Sequence, residues 1–457
     1  MTQQNGDRAL ATEPIGKLVL KLAVPAVAAQ FINVLYNIVD RIYIGNIPEI
    51  GAMALTGVGV TFPIIMLISA FAAFAGMGGA PLASMQLGAG NRDSAEHILG
   101  NSMSLILASG VFLTIVFTVF KTPMLYAFGA SNNIIGYAEE YIGIYLIGTI
   151  FVQISLGLNT FISAQGRATT AMLSVLIGAI INIVLDPILI FGFHMGVRGA
   201  ALATIISQAF SALWVLWFLT SKKSVIRIRA RHMRFDKKVV GKIAALGVAP
   251  FIMQSTESLV SITLNSGLQQ FGGDLYVGSM TIMQSVMQMV VMPVSGITQG
   301  AQPILSYNYG AKNNHRVRQA FWILLKVCMT VTCLSTVVAV FFPTILARMF
   351  TQDAMLIAIV GKMMPVFFAG VWAFGAQMAC QSAFMGLGQA KISLFLALLR
   401  KIILLVPLAI ILPRIFGNVM GIYVAEPIAD IVASCTTLTL FLLKYKKLLP
   451  VEKDLQQ

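Results

Sequence analysis

The chain has 457 residues, 58% of them hydrophobic and 11% charged, with a mean hydropathy of +0.85. A soluble globular chain is about 25% charged and about half apolar, so a soluble enzyme, a coiled coil and a disordered protein are excluded. Long apolar runs in place of short alternating segments exclude a membrane β-barrel, and the net charge of +14 does not signify a nucleic-acid partner, because Lys and Arg lie between apolar runs rather than on one basic face.

Each helix needs ~20 mostly apolar residues to cross a bilayer. Residues 1–15 contain Asp7, Arg8 and Glu13 but no apolar core, so no cleavable signal peptide is expected and the first span is itself the insertion signal. Twelve apolar stretches follow, at residues 17–43, 54–86, 97–120, 133–162, 169–193, 199–220, 239–270, 275–307, 318–344, 358–386, 392–413 and 417–443. Prolines inside them, Pro25, Pro187, Pro250 and Pro427 among others, mark expected kinks. The termini and the loops after even-numbered spans hold 22 of the 31 Lys and Arg residues. The positive-inside rule then places both termini in the cytoplasm. The most basic loop is 221–238, with Lys222, Lys223, Arg227, Arg229, Arg231, Arg234, Lys237 and Lys238. It reads as an orientation signal and interdomain linker, with a nucleotide- or partner-binding segment as the alternative. Cys328, Cys333, Cys380 and Cys435 show no metal spacing and read as small core hydrophobes.

The halves repeat. Residues 78–91, with Gly78, Pro81, Ser84, Gly88, Ala89 and Asn91, align with 300–313, with Gly300, Pro303, Ser306, Gly310, Ala311 and Asn313, at a shift of 222. The same shift carries Gly166 and Ala168 to Gly388 and Ala390, and Gly199 to Gly421. A shift of 225 carries Pro25 to Pro250 and Asp40 to Asn265. Internal repeats are the common build of secondary transporters. Six spans per repeat return the chain to its starting side, so the repeats are parallel. The expected architecture is an all-α polytopic membrane protein of twelve helices in two six-helix bundles. The expected lobes are 1–220 and 239–457, joined by the linker 221–238.

Ionisable residues inside a membrane are costly and usually face a cavity or a partner. Asn33, Tyr36, Asn37 and Asp40 share one face of span 1. Asp186 on span 5 stands one turn after Asn182. Thr204 on span 6, with Tyr141 and Asn159 on span 4, completes a candidate polar pocket. Two carboxylates in such a pocket repel one another, a condition that a proton relieves; with neutral oxygens nearby, so does Na⁺. The alternative role is a hydrogen-bond network that fixes helix packing. In the second half, Gln254, Glu257, Ser261 and Asn265 share a face of span 7. Glu426 and Asp430 lie one turn apart on span 12, and Arg400 and Lys401 sit in span 11. These bases either pair internally with Glu257, Glu426 or Asp430, or meet the substrate. Met283 and Met287, in a methionine-rich span 8, either adapt to varied ligands or fill the core. No Walker loop is present and the four histidines lack i, i+4 pairing, so no enzymatic activity and no cofactor are expected.

Span 1 with Pro25 and Asp40, the Gly-Ala turns at Gly88 and Gly310, and the run Asn182-Ile183-Val184-Leu185-Asp186-Pro187 followed by Gly199-Ala200-Ala201-Leu202-Ala203-Thr204 resemble the multidrug and toxic compound extrusion (MATE) family. The resemblance covers nearly the whole chain and is strongest to the bacterial DinF-like and MepA-like branch. It implies two lobes around an outward-open V-shaped cavity, and export of organic cations or amphiphiles in exchange for H⁺ or Na⁺. It places the cation site on Asp40, Asn182, Asp186 and Thr204, with Tyr36, Asn33, Tyr141 and Asn159 nearby. Glu257 resembles the span 7 acid of the NorM branch, whose span 10 acid has no counterpart between Met364 and Gly386.

The resulting expectation is a cation-coupled antiporter in a bacterial inner membrane. It works by alternating access with Pro25 as hinge, and a monomer is sufficient. Its substrate cavity draws on Gln254, Glu257, Asn265, Met283, Met287, Arg400, Lys401, Glu426 and Asp430; the two bases leave room for zwitterionic or anionic substrates. A flippase for a lipid-linked precursor, with the same two-lobed architecture, is the alternative.

Overall fold

The structure is a computed structural model that describes residues 5–450. Among these residues helices are the only regular secondary structure. A short α1 (Asn5–Thr12) precedes α2 (Ile15–Gly45), α3 (Gly51–Gly88), α4 (Arg92–Ala127), α5 (Ile135–Ile147), α6 (Thr149–Ala164), α7 (Ala168–Pro187) and α8 (Val197–Thr220). The second half runs through α9 (Lys237–Gly272), α10 (Asp274–Gly310), α11 (Asn314–Phe341), α12 (Pro343–Arg348), α13 (Ala354–Phe367), α14 (Val371–Gly386), α15 (Ala390–Leu398), α16 (Val406–Phe416) and α17 (Met420–Leu448). Eleven helical stretches are long and apolar enough to cross a membrane, and the pair α5 and α6 supplies a twelfth, bent by 59°. The expected twelve-span, all-α membrane fold is therefore present.

Span 4 differs from its expected form. The sequence reads as one continuous helix, but the chain turns at Gly148, where a Cβ would lie 2.6 Å from the Ile205 side chain. Two other spans change pitch instead of breaking. Ile188–Gly192 continues α7 as a π-helix, and Leu399–Leu405 joins α15 to α16 in the same way. Such widened turns often occur at functional sites.

The repeat reappears as backbone geometry. α3 and α10 end in matching turns, in which Asn91 N–H donates to Gln86 O at 2.8 Å and Asn313 N–H to Asn308 O at 2.9 Å. Each such turn needs one left-handed residue. Gly90 supplies it in the first repeat with φ 77°, and Lys312, a residue rarely found there, in the second with φ 58°.

Contacts gather the chain into two units. One comprises the residues up to Glu13 together with Ala28–Gln254; the other comprises Pro14–Val27 together with Ser255 onward. The basic linker and the first half of α9 thus cluster with the first unit, whereas the lobes expected from sequence divide at 220 and 239. Of the three boundaries, the first falls between α1 and α2, and the other two fall inside helices, two residues after Pro25 in α2 and four after Pro250 in α9. Proline removes one helical hydrogen bond and crowds the preceding turn, so these are weak points of each rod.

Each unit has its own apolar core. In the first, Ile64, Ile68, Leu113, Phe117, Tyr141 and Leu146 pack together. In the second, Leu264, Met283, Val290, Phe367, Phe368 and Tyr423 do so. Lipid is as apolar as these side chains, so helix association depends on close packing through small residues. Gly300 on α10 shows this: a Cβ there would lie 2.5 Å from Ala23 Cα on α2, within the second unit. Gly300→Ala should cost about 1–3 kcal/mol and lower the thermal melting point of the purified protein in detergent. Gly59→Ala, with open space around it, should leave melting unchanged or raise it.

Candidate functional site

The candidate site lies in the first unit and draws on four helices. The second half of α2 carries Tyr36 and Asp40, α5 carries Tyr141 and Tyr145, α7 carries Asn182 and Asp186, and α8 carries Thr204 and Gln208. Asp40 is 8% exposed and Asp186 fully buried, and their carboxyl groups adjoin one another. Asn182 Nδ2 donates to Asp186 Oδ1 at 3.3 Å, the bond expected of residues one turn apart. Tyr141 faces the Thr204 side chain and stacks on Tyr145, with ring centroids 6.2 Å apart. Tyr36 is flanked by Asn37 and Gln208. Pro187 has no N–H to donate to the Ile183 carbonyl, and the π-helical turn begins directly after it.

The donor and acceptor balance of this pocket is uneven. Asp40 Oδ1, Asp186 Oδ2 and Asn182 Oδ1 are all buried and accept no hydrogen bond. Buried polar atoms are normally paired, and a lone buried acceptor costs free energy. Here three acceptors occur in one pocket, and no base forms an ion pair with either aspartate among the described residues. Acceptors in this arrangement have the chemistry to take a proton, or a hard cation that prefers oxygen ligands.

The structure brings Tyr36, Asp40, Tyr141, Asn182, Asp186 and Thr204 together. It takes Asn159 elsewhere. Asn159 Nδ2 donates to the Ala171 carbonyl at 3.2 Å, which ties α6 to α7. Ala171 lies about 22 Å along the α7 axis from Asp186, too far for a shared pocket. Asn33 is half-buried two turns before Asp40, and its carbonyl accepts from Asn37 Nδ2 at 2.6 Å. Gln208 and Tyr145 are the members that sequence reasoning missed. Each stands one turn beyond a residue it had selected, Thr204 and Tyr141, so following the i+4 spacing would have found both.

The second unit holds its charges in a different way. Arg400 Nε donates to Asp430 Oδ1 at 2.6 Å and its Nη2 to Glu426 Oε1 at 2.9 Å, and the guanidinium lies 4.7 Å from the Phe374 ring centroid. Lys401 pairs with Glu257, whose carboxylate is otherwise well exposed. Internal pairing, the first of the two roles considered for these bases, is therefore what the geometry shows. Both bases sit in the π-helical stretch, whose wider turn is closed by Val406 N–H to the Lys401 carbonyl. Gln254 Oε1 and Asn265 Oδ1 on α9 are buried atoms that accept no hydrogen bond. Met283 is fully buried in the apolar core and Met287 packs against it, which gives both the core role. Of the cysteines, Cys328 and Cys380 are buried and Cys333 is half-buried, but Cys435 is exposed and so fills no core. Pro25 is half-buried, close to the boundary between units in α2.

A duplicated twelve-span chain with carboxylates held at depth defines a membrane transporter. The chain belongs to the MatE family, whose model matches residues 25–188 and 250–411, most of both repeats. It is 23% identical to the multidrug export protein MepA of Staphylococcus haemolyticus (strain JCSC1435) over 428 residues, which are 94% of this chain and 93% of that protein. It is 22% identical to MepA of Staphylococcus aureus (strain NCTC 8325 / PS 47) over 424 residues, 92% and 93% of the two. Among solved structures, an outward-facing multidrug resistance MATE family transporter of the MOP superfamily has the same fold, with a TM-score of 0.89 at 24% identity over 97% of this chain and 98% of that one. A MOP superfamily transporter from Pyrococcus furiosus, described as having a binding pocket of reverse polarity, matches with the same TM-score, identity and coverage.

Removing one member of a buried ion network leaves its partners uncompensated, whereas removing all of them need not destabilise. Arg400→Met should therefore cost about 3–5 kcal/mol, read as a large fall in the melting temperature in detergent. The triple variant Arg400→Met, Glu426→Gln, Asp430→Asn should recover most of that loss.

Proposed function

We propose that this protein is a cation-coupled antiporter that exports small organic cations or amphiphilic molecules by alternating access. The observation that carries the reading is the buried pair Asp40 and Asp186 with its unpartnered acceptor oxygens. The match to MepA, a multidrug export protein, supports the substrate class.

In the proposed cycle H⁺ or Na⁺ enters from outside and neutralises Asp40 and Asp186. Asn182 and Thr204 offer neutral oxygens to the same ion. α2 then bends after Pro25, substrate leaves outward, and reorientation releases the ion inside. Both termini lie in the cytoplasm, the membrane is the bacterial inner membrane, a monomer suffices and no cofactor takes part. A flippase for an anionic lipid precursor needs bases directed at its load. Arg400 and Lys401 are instead tied to carboxylates, which favours the antiporter.

The test is efflux from proteoliposomes under separately imposed proton and sodium gradients, with a panel of cationic and zwitterionic compounds. One gradient should drive export of the cations. Asp40→Asn and Asp186→Asn, reconstituted at equal density, should each reduce that export to the passive leak. Full gradient-driven transport by either variant would falsify the mechanism.

A further inference from the structure

We propose that the segment 221–238 is a docking platform for the phosphate headgroups of anionic phospholipids. The inference rests on the membrane-spanning fold and is independent of the transport reading. The segment leaves α8 and enters α9, both long enough to span, so it runs along the membrane edge.

The platform is fixed to the first unit. Ser224, Val225 and Ile226 are buried, and the Gln165 Oε1 atom accepts from Val225 N–H at 2.7 Å and from the Ser224 hydroxyl at 2.9 Å. Asn101 donates to the His232 carbonyl at 3.3 Å and accepts from Asp236 N–H at 2.9 Å. Two arginines are committed to holding it down: Arg229 pairs with the buried Glu96 at 2.8 Å and Arg231 with Asp93 at 2.7 Å. Arg227 is half-buried, and the other five bases lie at the surface. Lys222, Lys223, Arg234, Lys237 and Lys238 are exposed, and Asp236 is the one acid within the segment.

Two aromatic rings accompany those bases. Trp217 is half exposed at the end of α8, with Lys223 Nζ 5.4 Å from its ring centroid. Phe235 is 58% exposed, between Arg234 and the lysines at 237 and 238. Exposed rings flanked by bases match an anionic membrane surface, where aromatic groups sit among the headgroups and Lys or Arg meets phosphate. A soluble acidic protein would satisfy the charges but would not account for exposed rings at the membrane edge.

The test uses the intact protein in detergent, titrated with phosphatidylglycerol or phosphatidylcholine and read by native mass spectrometry. Phosphatidylglycerol should be retained preferentially, and less so at high salt. Combining Lys223→Gln, Arg234→Gln, Lys237→Gln and Lys238→Gln should weaken its apparent affinity about fivefold for each base removed. If the combined variant does not fold, the single changes carry the same test. Phe235→Ser, which keeps every charge, should also weaken retention, and Arg414→Gln, a base outside the segment, should not. Equal retention of the two lipids, an unchanged preference in the charge variants, or an equal loss in Arg414→Gln would overturn the proposal. Release of the lipid by inorganic phosphate at matched ionic strength would also overturn it, by making this a soluble-anion site.

Discussion

Charge inside hydrocarbon must be met by opposite charge, and the rest of this structure follows from how that demand is handled. The two units handle it differently. In the second, three carboxylates meet Arg400 and Lys401, and the positive partners are part of the chain. In the first, Asp40 and Asp186 adjoin with no base in an ion pair with either among the described residues. Their buried acceptor oxygens Asp40 Oδ1 and Asp186 Oδ2 are left without a hydrogen-bond partner, the feature on which the proposed cation coupling rests. A protein-bound base in that pocket would compete permanently with any incoming cation.

The pocket depends on helices that depart from regular geometry. Pro187 and the π-helical turn after it end the regular part of α7 just beyond Asp186. The bend at Gly148 divides span 4 and leaves Tyr141 and Tyr145 on its first segment, α5. In the second unit the widened turn carries both bases. Irregular backbone at membrane depth is tolerated only where surrounding protein satisfies it. Each irregular segment lies next to a charged or polar cluster, although Ile188, Ile402 and Ile403 on the π-helical turns are exposed on the outer surface.

Much of this was legible in the sequence because it has a period or a fixed spacing. Span positions follow from runs of apolar residues, and the repeat from a constant shift. The association of Asp40 with Asp186 follows from the rarity of acids in such runs. What was not legible depends on three-dimensional neighbours. Gly148 reads as one more small residue in a span until Ile205 from another helix is placed against it. Asn159 has the composition of a pocket residue, but its register on α6 directs it to the Ala171 carbonyl. Met283 could have lined a cavity or a core, and only burial separates the two. Arg400 could have met the substrate or an internal acid, and the 30-residue separation from Asp430 gives no hint of their 2.6 Å contact.

The division of α2 and α9 between units has a consequence for the origin of the fold. Neither repeat completes a bundle alone, because each unit incorporates the opening half-helix of the other repeat. A chain of one repeat would complete its bundle only by trading that half-helix with a second copy, as in a domain-swapped homodimer. Fusing two such copies end to end makes the trade permanent and leaves the exchanged halves free to diverge. Gly300 against Ala23 and Gly78 against Gly247 are the close backbone approaches that seat each exchanged half-helix in its unit.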